Sequence, residues 1–267
     1  MRVGRLFLLF VLFSSLVFPA AAQQPASTNA QAAALLQKAW AQLNGPHPID
    51  DVTLTGTARR IAGSDDESGP VVVKALASGA SRLELSLPSG QRREVRSTSG
   101  DSPKGFWSGH DGVSHEIAFH NLLSEPSWFF PAHAVSHALS ASGYVVNYIG
   151  HETKDSLAVE HLAFYQKKSG SSHAELLMQR LTQADIWLDS STLLPVAMAF
   201  NIHPDNDAGL DIPIEVRFSG YRLVNGAQIP FHIQRFINNG LALDLQFETA
   251  VINSGLSSAA FTLGAGL

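Results

Sequence analysis

The stretch IEVRFSGYRLVNGAQIPFHIQRFINNGLALDLQFE, residues 214–248, decides the fold. Ile214, Val216 and Phe218 alternate with Glu215, Arg217 and Ser219. Further on, Ile229, Phe231 and Ile233 alternate with Pro230, His232 and Gln234, and Leu241, Leu243, Leu245 and Phe247 with Ala242, Asp244, Gln246 and Glu248. Successive side chains on a strand point to opposite faces, so each segment has one face that seeks a core and one that tolerates water. Asn225-Gly226 and Asn239-Gly240 supply the positive φ that tight hairpins need, so the stretch is a meander of antiparallel strands. It carries almost nothing reactive. A curved antiparallel sheet with one apolar face suits holding apolar material better than catalysis.

Working outward, a second meander precedes it. Asp51 to Arg60 sets Val52, Leu54 and Ala58 against Thr53, Thr55 and Thr57. Residues Gly63 to Gly69 read as an exposed acidic turn, followed by strands over Val71 to Ala77, Arg82 to Leu87 and Gln91 to Arg96. Ahead of these, Ala33, Leu36, Trp40 and Leu43 share one helical face over Ala32 to Leu43, and Asn44-Gly45-Pro46 stops that helix. Between the meanders, Phe119 to Ser142 reads as helix, with Ser127 as a cap and Pro131 tolerable near the first turn. Trp128, Ala132, Val135 and Leu139 share a face of it. Tyr144 to Gly150 and Leu157 to Gln166 read as strands, Lys167 to Ser172 as a polar loop, and Ile186 to Asp189 with Leu194 to Ile202 as a hairpin. No repeat is found at the 20–50 residue periods of solenoids or propellers. The organisation expected is a leader over 1–22, a polar segment and helix over 23–46, and one half-barrel domain over 47–267 with a helical lid around 119–142.

Arg2 and Arg5, an apolar run from Leu6 to Phe18 and the small residues Ala20-Ala21-Ala22 have the form of a secretory signal. The apolar run is shorter than the roughly 20 residues of a membrane span. Cysteine is absent from the 267 residues, which excludes disulfides, thiolate metal sites, a cysteine nucleophile and a lipid-bearing cysteine after the leader. The expectation is a periplasmic or secreted chain with no stable membrane anchor once the leader is cleaved. With 18 basic against 23 acidic residues the chain is acidic, and its basic residues are scattered apart from Arg59-Arg60, Arg92-Arg93 and Lys167-Lys168. Nucleic acid is therefore not an expected partner, nor is an anionic membrane surface.

The eleven histidines are the strongest catalytic lead. His115-Glu116-Ile117-Ala118-Phe119-His120 is one residue too long for the zinc-hydrolase pattern, and on a strand His115 faces away from His110 and His120. His133 and His137 share a helical face but lack a third ligand nearby in sequence. There is no Gly-x-Ser-x-Gly elbow and no phosphate or dinucleotide loop, so no catalytic residue, metal or cofactor is assigned. The rival readings are a periplasmic metal- or carboxylate-dependent hydrolase and a cell-envelope protein-interaction module. The aromatic residues point elsewhere. Trp107, Trp128, Phe129, Phe130, Trp187 and Phe200, with Val135, Leu139 and Phe218, are candidates for lining an apolar cavity between the helix and the sheet.

The order of elements resembles the LolA/LolB-like superfamily of outer-membrane lipoprotein-sorting proteins. The resemblance lies in the helix ending at Leu43, the strand Ser81-Arg82-Leu83-Glu84-Leu85 and the Asp111-Gly112 turn after Trp107. It continues in the Ile186-Trp187-Leu188-Asp189 strand leading to Leu194-Pro195-Val196, and in Phe261-Thr262-Leu263. It covers most of residues 31–263. It implies a mainly β (α+β) fold, an incomplete antiparallel barrel covered by helices, whose cavity takes a lipid or the acyl chains of a lipoprotein. The additions around Ser124 to Ser142 and Tyr165 to Ala184 make this chain longer than a compact carrier. The family's buried lid-fastening arginine has Arg82 as its nearest counterpart, but alternation with Leu83, Leu85 and Leu87 puts Arg82 on the polar face, so that role is not carried over.

Overall fold

The computed structural model describes residues 28–97, 103–124, 127–140, 143–167 and 170–262, so the expected leader lies outside the described residues. The chain runs as α1 (Thr28–Asn44), β1 (Asp51–Ala62), β2 (Asp65–Leu76), β3 (Ser81–Leu87), β4 (Gly90–Ser97), β5 (Lys104–Ser108) and β6 (Ser114–Glu116). There follow α2 (Phe119–Leu122), α3 (Pro131–Ser140), β7 (Tyr144–Lys154), β8 (Leu157–Gln166), α4 (Ser172–Thr182), β9 (Ala184–Asp189) and β10 (Pro195–Ile202). The chain closes with β11 (Ile212–Val224), β12 (Ala227–Ile237), β13 (Gly240–Ile252) and a 3-10 turn at Ser258–Phe261.

Among the described residues, 13 strands form one antiparallel sheet in the order β6-β5-β4-β3-β2-β1-β13-β12-β11-β10-β9-β8-β7. The two meanders join where β1 pairs with β13, Val52 opposite Ile252 and Arg60 opposite Leu243. The ends β6 and β7 do not pair, so the sheet is an open, incomplete barrel. The hairpin at Asn225-Gly226 turns through positive φ as expected, while the second turn falls one residue earlier than Asn239-Gly240, at Asn238 and Asn239, both at positive φ, with Gly240 already paired to Ile237.

Alternation sorts the strands into two faces. The inner face carries Val52, Leu54 and Ala58 from β1, Leu83 and Leu85 from β3, Ile186 and Leu188 from β9, and Ile229, Phe231 and Ile233 from β12, all buried. Helix α1 packs on this face against β7, β12 and α3. Ala32, Leu36, Ala39 and Leu43 are its buried stripe. The helix ends as expected: Gly45 takes φ +65° and its N–H donates to the Ala41 carbonyl at 3.2 Å. A side chain at Gly45 would collide with the Gly226 carbonyl oxygen, its Cβ falling 2.0 Å away, so the helix end is docked directly on the β11–β12 hairpin.

Three local expectations are corrected. The single helix over 119–142 is two pieces, four-residue α2 and ten-residue α3, separated by a buried turn at Trp128, Phe129 and Phe130. Pro131 explains the split, because it suits a first helical position while disfavouring α geometry in the residue before it. The acidic turn over 63–69 is short, since β2 starts at Asp65 and pairs outward along β1 as far as Ala62. Its polar composition marks the part of a hairpin that projects beyond the core. Residues 172–182, read as the end of a polar loop and an addition, form α4, with the Ser171 hydroxyl accepting from the Ala174 N–H at 3.3 Å.

Candidate functional site

Most of the space between α3 and the sheet is filled by the protein's own side chains. Trp128, Phe129, Phe130, Val135, Phe200 and Phe218 are all buried in one core with α1 and the inner face, and Leu139 packs against it. Of the candidate cavity residues the structure brings these seven together, and the other two lie apart. Trp187 faces outward on β9, stacked on His161 with centroids 4.5 Å apart and beneath the Lys154 ammonium at 4.4 Å. Trp107 is 42% exposed on β5, stacked on His115 at 4.3 Å.

Trp107 leads to an open space on the inner face. A groove of about 420 Å³ lies at the end where the β1–β2, β3–β4 and β12–β13 hairpins turn. Its floor is Leu83, Leu85, Trp107 and Ile237, and its rim carries Arg60, Arg92, Arg93 and Glu94. Register explains the composition: Leu85 opposes Arg92, Leu83 opposes Glu94, and Glu94 opposes Trp107. The apolar lining of the sheet thus continues beyond its helical cover.

A cluster of charged side chains adjoins this groove, while its floor residues Leu83 and Leu85 belong to the packed core. Arg96 is buried, donates from Nε to Glu94 Oε1 at 2.8 Å and from Nη1 to the Asn121 carbonyl at 2.9 Å. The Arg235 guanidinium lies 4.9 Å from the centre of the Trp128 ring. Burial pushes the Glu94 carboxyl up, but the charges of Arg96 and Arg235, with the hydrogen bond from Arg96, outweigh it and hold the group below its ordinary value. Burial likewise pulls Arg235 down against the attraction of Glu94.

The segment after β6 forms a strap across the inner side. The Ile117 N–H donates to the Gly105 carbonyl at 2.9 Å. The Asn121 amide grips the backbone of His203, donating to its carbonyl at 2.7 Å and accepting from its N–H at 2.8 Å. His120 Nε2 lies 3.1 Å from the Pro204 carbonyl. The strap therefore ties the β4–β5 arm of the sheet to the loop between β10 and β11. Beside it is a hollow of about 240 Å³, lined by Leu122 and Leu123 of the strap, His133 and His137 of α3, Tyr144 and Phe164.

The histidines are dispersed. His133 and His137 stack at 5.7 Å, and among the described residues no three histidine, aspartate or glutamate side chains converge on a point fit for a metal ion. His151, Glu160 and Ser190 meet on the same face as Leu162 and Leu188, toward the β7–β8 hairpin, but Glu160 at 2.9 Å and Ser190 at 3.3 Å both address the same Nδ1. A nucleophile and an orienting carboxylate must use opposite ring nitrogens for a relay, so this group has the wrong connectivity.

Sequence reasoning missed the inner-face charges. One signal was present: Arg235 continues the parity of Ile229, Phe231 and Ile233, so it stands where an apolar residue is expected. Arg96 left no such mark. The outer face of β4 is itself covered, with Val95 buried against Phe261, so neither face of that strand reads as polar or apolar. Arg82, set aside as a lid fastener, instead donates to Glu84 at 2.8 Å and to the Ala260 and Thr262 carbonyls at 3.3 Å.

No family model matches the chain, and no curated protein matches it in sequence. Solved structures do match in shape. A domain from Vibrio parahaemolyticus named for outer membrane lipoprotein sorting superposes with a TM-score of 0.55 at 13% identity, covering 87% of this chain and 97% of that one. A DUF1329 family protein from Desulfovibrio piger gives 0.57 at 13% identity, covering 89% and 98%. A LolA superfamily protein from Nitrosomonas europaea gives 0.54 at 14% identity, covering 87% and 97%. The chain therefore has the LolA-like fold, an incomplete antiparallel barrel shared with lipoprotein-sorting proteins.

Proposed function

We propose that this protein is a non-catalytic carrier of the periplasm that holds a molecule with an apolar chain, a lipid or an acylated protein, against the inner face of its half-barrel. The observation that carries the reading is the groove at the hairpin end, where Trp107 and Ile237, exposed beside buried Leu83 and Leu85, extend the sheet's apolar surface past its helical cover into the open. Its volume of about 420 Å³ falls in the ordinary range of ligand sites, roughly 300–1,000 Å³. Burying a chain there gains about 0.8 kcal/mol per methylene and needs no covalent step. The seven candidate residues packed together in the core would support that surface from behind or line a deeper channel when α1 and α3 shift outward. The lipoprotein-sorting proteins of the same fold support the class of cargo.

The test is mass spectrometry of lipids extracted from the protein after gentle purification from its native envelope. A stoichiometric molecule with an alkyl chain is the expected result. A preparation that never carries such a molecule and fails to take up a fluorescent fatty acid would refute the reading.

A further inference from the structure

We propose that the groove selects an amphiphile with an anionic head, phosphate or carboxylate, seated between Arg60 and Arg92 while its chain runs over Leu85 and Leu83. The proposal rests on the carrier reading above and adds the chemistry of the cargo's polar end.

The argument starts from unused hydrogen-bond donors. Among the described residues Nη1 of Arg60 and Nε of Arg92 are both shielded from solvent and have no hydrogen-bond partner, Arg92 being held only through Nη2, which donates to the Ser89 hydroxyl at 3.3 Å. A shielded donor left unmatched carries a desolvation cost that a bound acceptor would remove. The neighbouring carboxylates are engaged elsewhere. Glu67, opposite Arg60 on β2, accepts from the Ser89 N–H at 2.9 Å and from its hydroxyl at 2.8 Å. Glu94 is taken by Arg96 at 2.8 Å, and Glu84 lies on the far side of β3 against Arg82 and Arg93. Asp111, across the turn after β5, accepts from the Val113 N–H at 3.1 Å. Among the described residues neither Arg60 nor Arg92 forms an ion pair, although the chain as a whole carries a formal charge of −5.

Position then sets the orientation. Arg92 lies toward the β3–β4 hairpin tip opposite Leu85, and the next inward pair on the same face is Glu94 opposite Leu83. A head group at Arg60 and Arg92 therefore sits at the outer end, and a chain attached to it passes inward over leucines. The planar guanidinium offers paired donors that fit phosphate and carboxylate oxygens, so anionic heads are favoured over neutral ones.

Calorimetric titration with dodecyl phosphate, monolauroylglycerol and inorganic phosphate, each below any micelle concentration, tests this. The wild-type protein is expected to bind dodecyl phosphate at least about tenfold more tightly than the neutral chain, a preference that shrinks with added salt. The Arg60→Gln/Arg92→Gln double variant is expected to bind both chains alike, at the wild-type affinity for the neutral one. Equal wild-type affinity for the two chains would overturn the head-group proposal while leaving the carrier reading in place. Inorganic phosphate binding as tightly as dodecyl phosphate would overturn it in favour of a free-anion site. Failure of both chains to bind would remove the carrier reading itself.

Discussion

Arg96 joins two parts of the protein through one side chain, binding Glu94 on its own strand and the Asn121 carbonyl on the strap. Removing one partner of a buried ion pair leaves an uncompensated charge, so Arg96→Ala is expected to destabilise the fold by about 3–5 kcal/mol in urea denaturation. The Glu94 carboxyl is held below its ordinary value, so its contribution is fully present above about pH 4.3 and is lost as the pH falls through the lowered folded value. Stability measured from pH 6 downward should therefore fall less steeply in Glu94→Gln than in the wild type. Asp51 is the second such group. Its buried carboxylate accepts from the Ser254 hydroxyl and from the N–H groups of Ser254, Gly255 and Leu256 at 2.7–3.1 Å. Burial pushes it up, yet these donors hold it down, and Asp51→Ala is expected to cost about 2–3 kcal/mol and free the segment after β13. Limited proteolysis near residue 256 checks the second effect.

The elements show where sequence logic reached and where it stopped. Alternation and Asn-Gly turns gave β11, β12 and β13 almost residue by residue, because one face of each is buried and the other wet. The same logic placed α1 and its glycine stop. Gly45→Ala, which meets both a positive φ and the Gly226 carbonyl, is expected to lower the midpoint of thermal unfolding by several degrees, about 1–3 kcal/mol. The middle segment was less legible. Trp128, Phe129 and Phe130 form an apolar run with no period of their own, and only their burial in a turn distinguishes them from helix. The strap was invisible because its anchor is a side chain gripping the backbone more than eighty residues away, and local pattern carries no trace of such a contact. Asn121→Ala is expected to speed hydrogen exchange of residues 117–123 by about tenfold, with a smaller change across β11 to β13.

At the scale of the molecule, the open sheet has a consequence for cargo. A closed barrel of this many strands would enclose its contents, whereas here the unpaired ends β6 and β7 leave the wall free to spread. Helix α1 packs beside the β7 end, and the strap holds the other arm by a few hydrogen bonds. The fold class and the apolar inner face could be read from sequence, since both follow from period-two patterning. The location of the groove could not, because it depends on which hairpins meet at one end of the sheet. The four tryptophans give a direct way to ask where a chain goes, since Trp107 lies in the groove and Trp187 on the outer face. In variants that keep only one of these two, with the other tryptophans changed to phenylalanine, a chain brominated along its length should quench Trp107 strongly and leave Trp187 bright. Equal quenching of both, or quenching of Trp187 alone, would contradict a carrier that holds its cargo on the inner face.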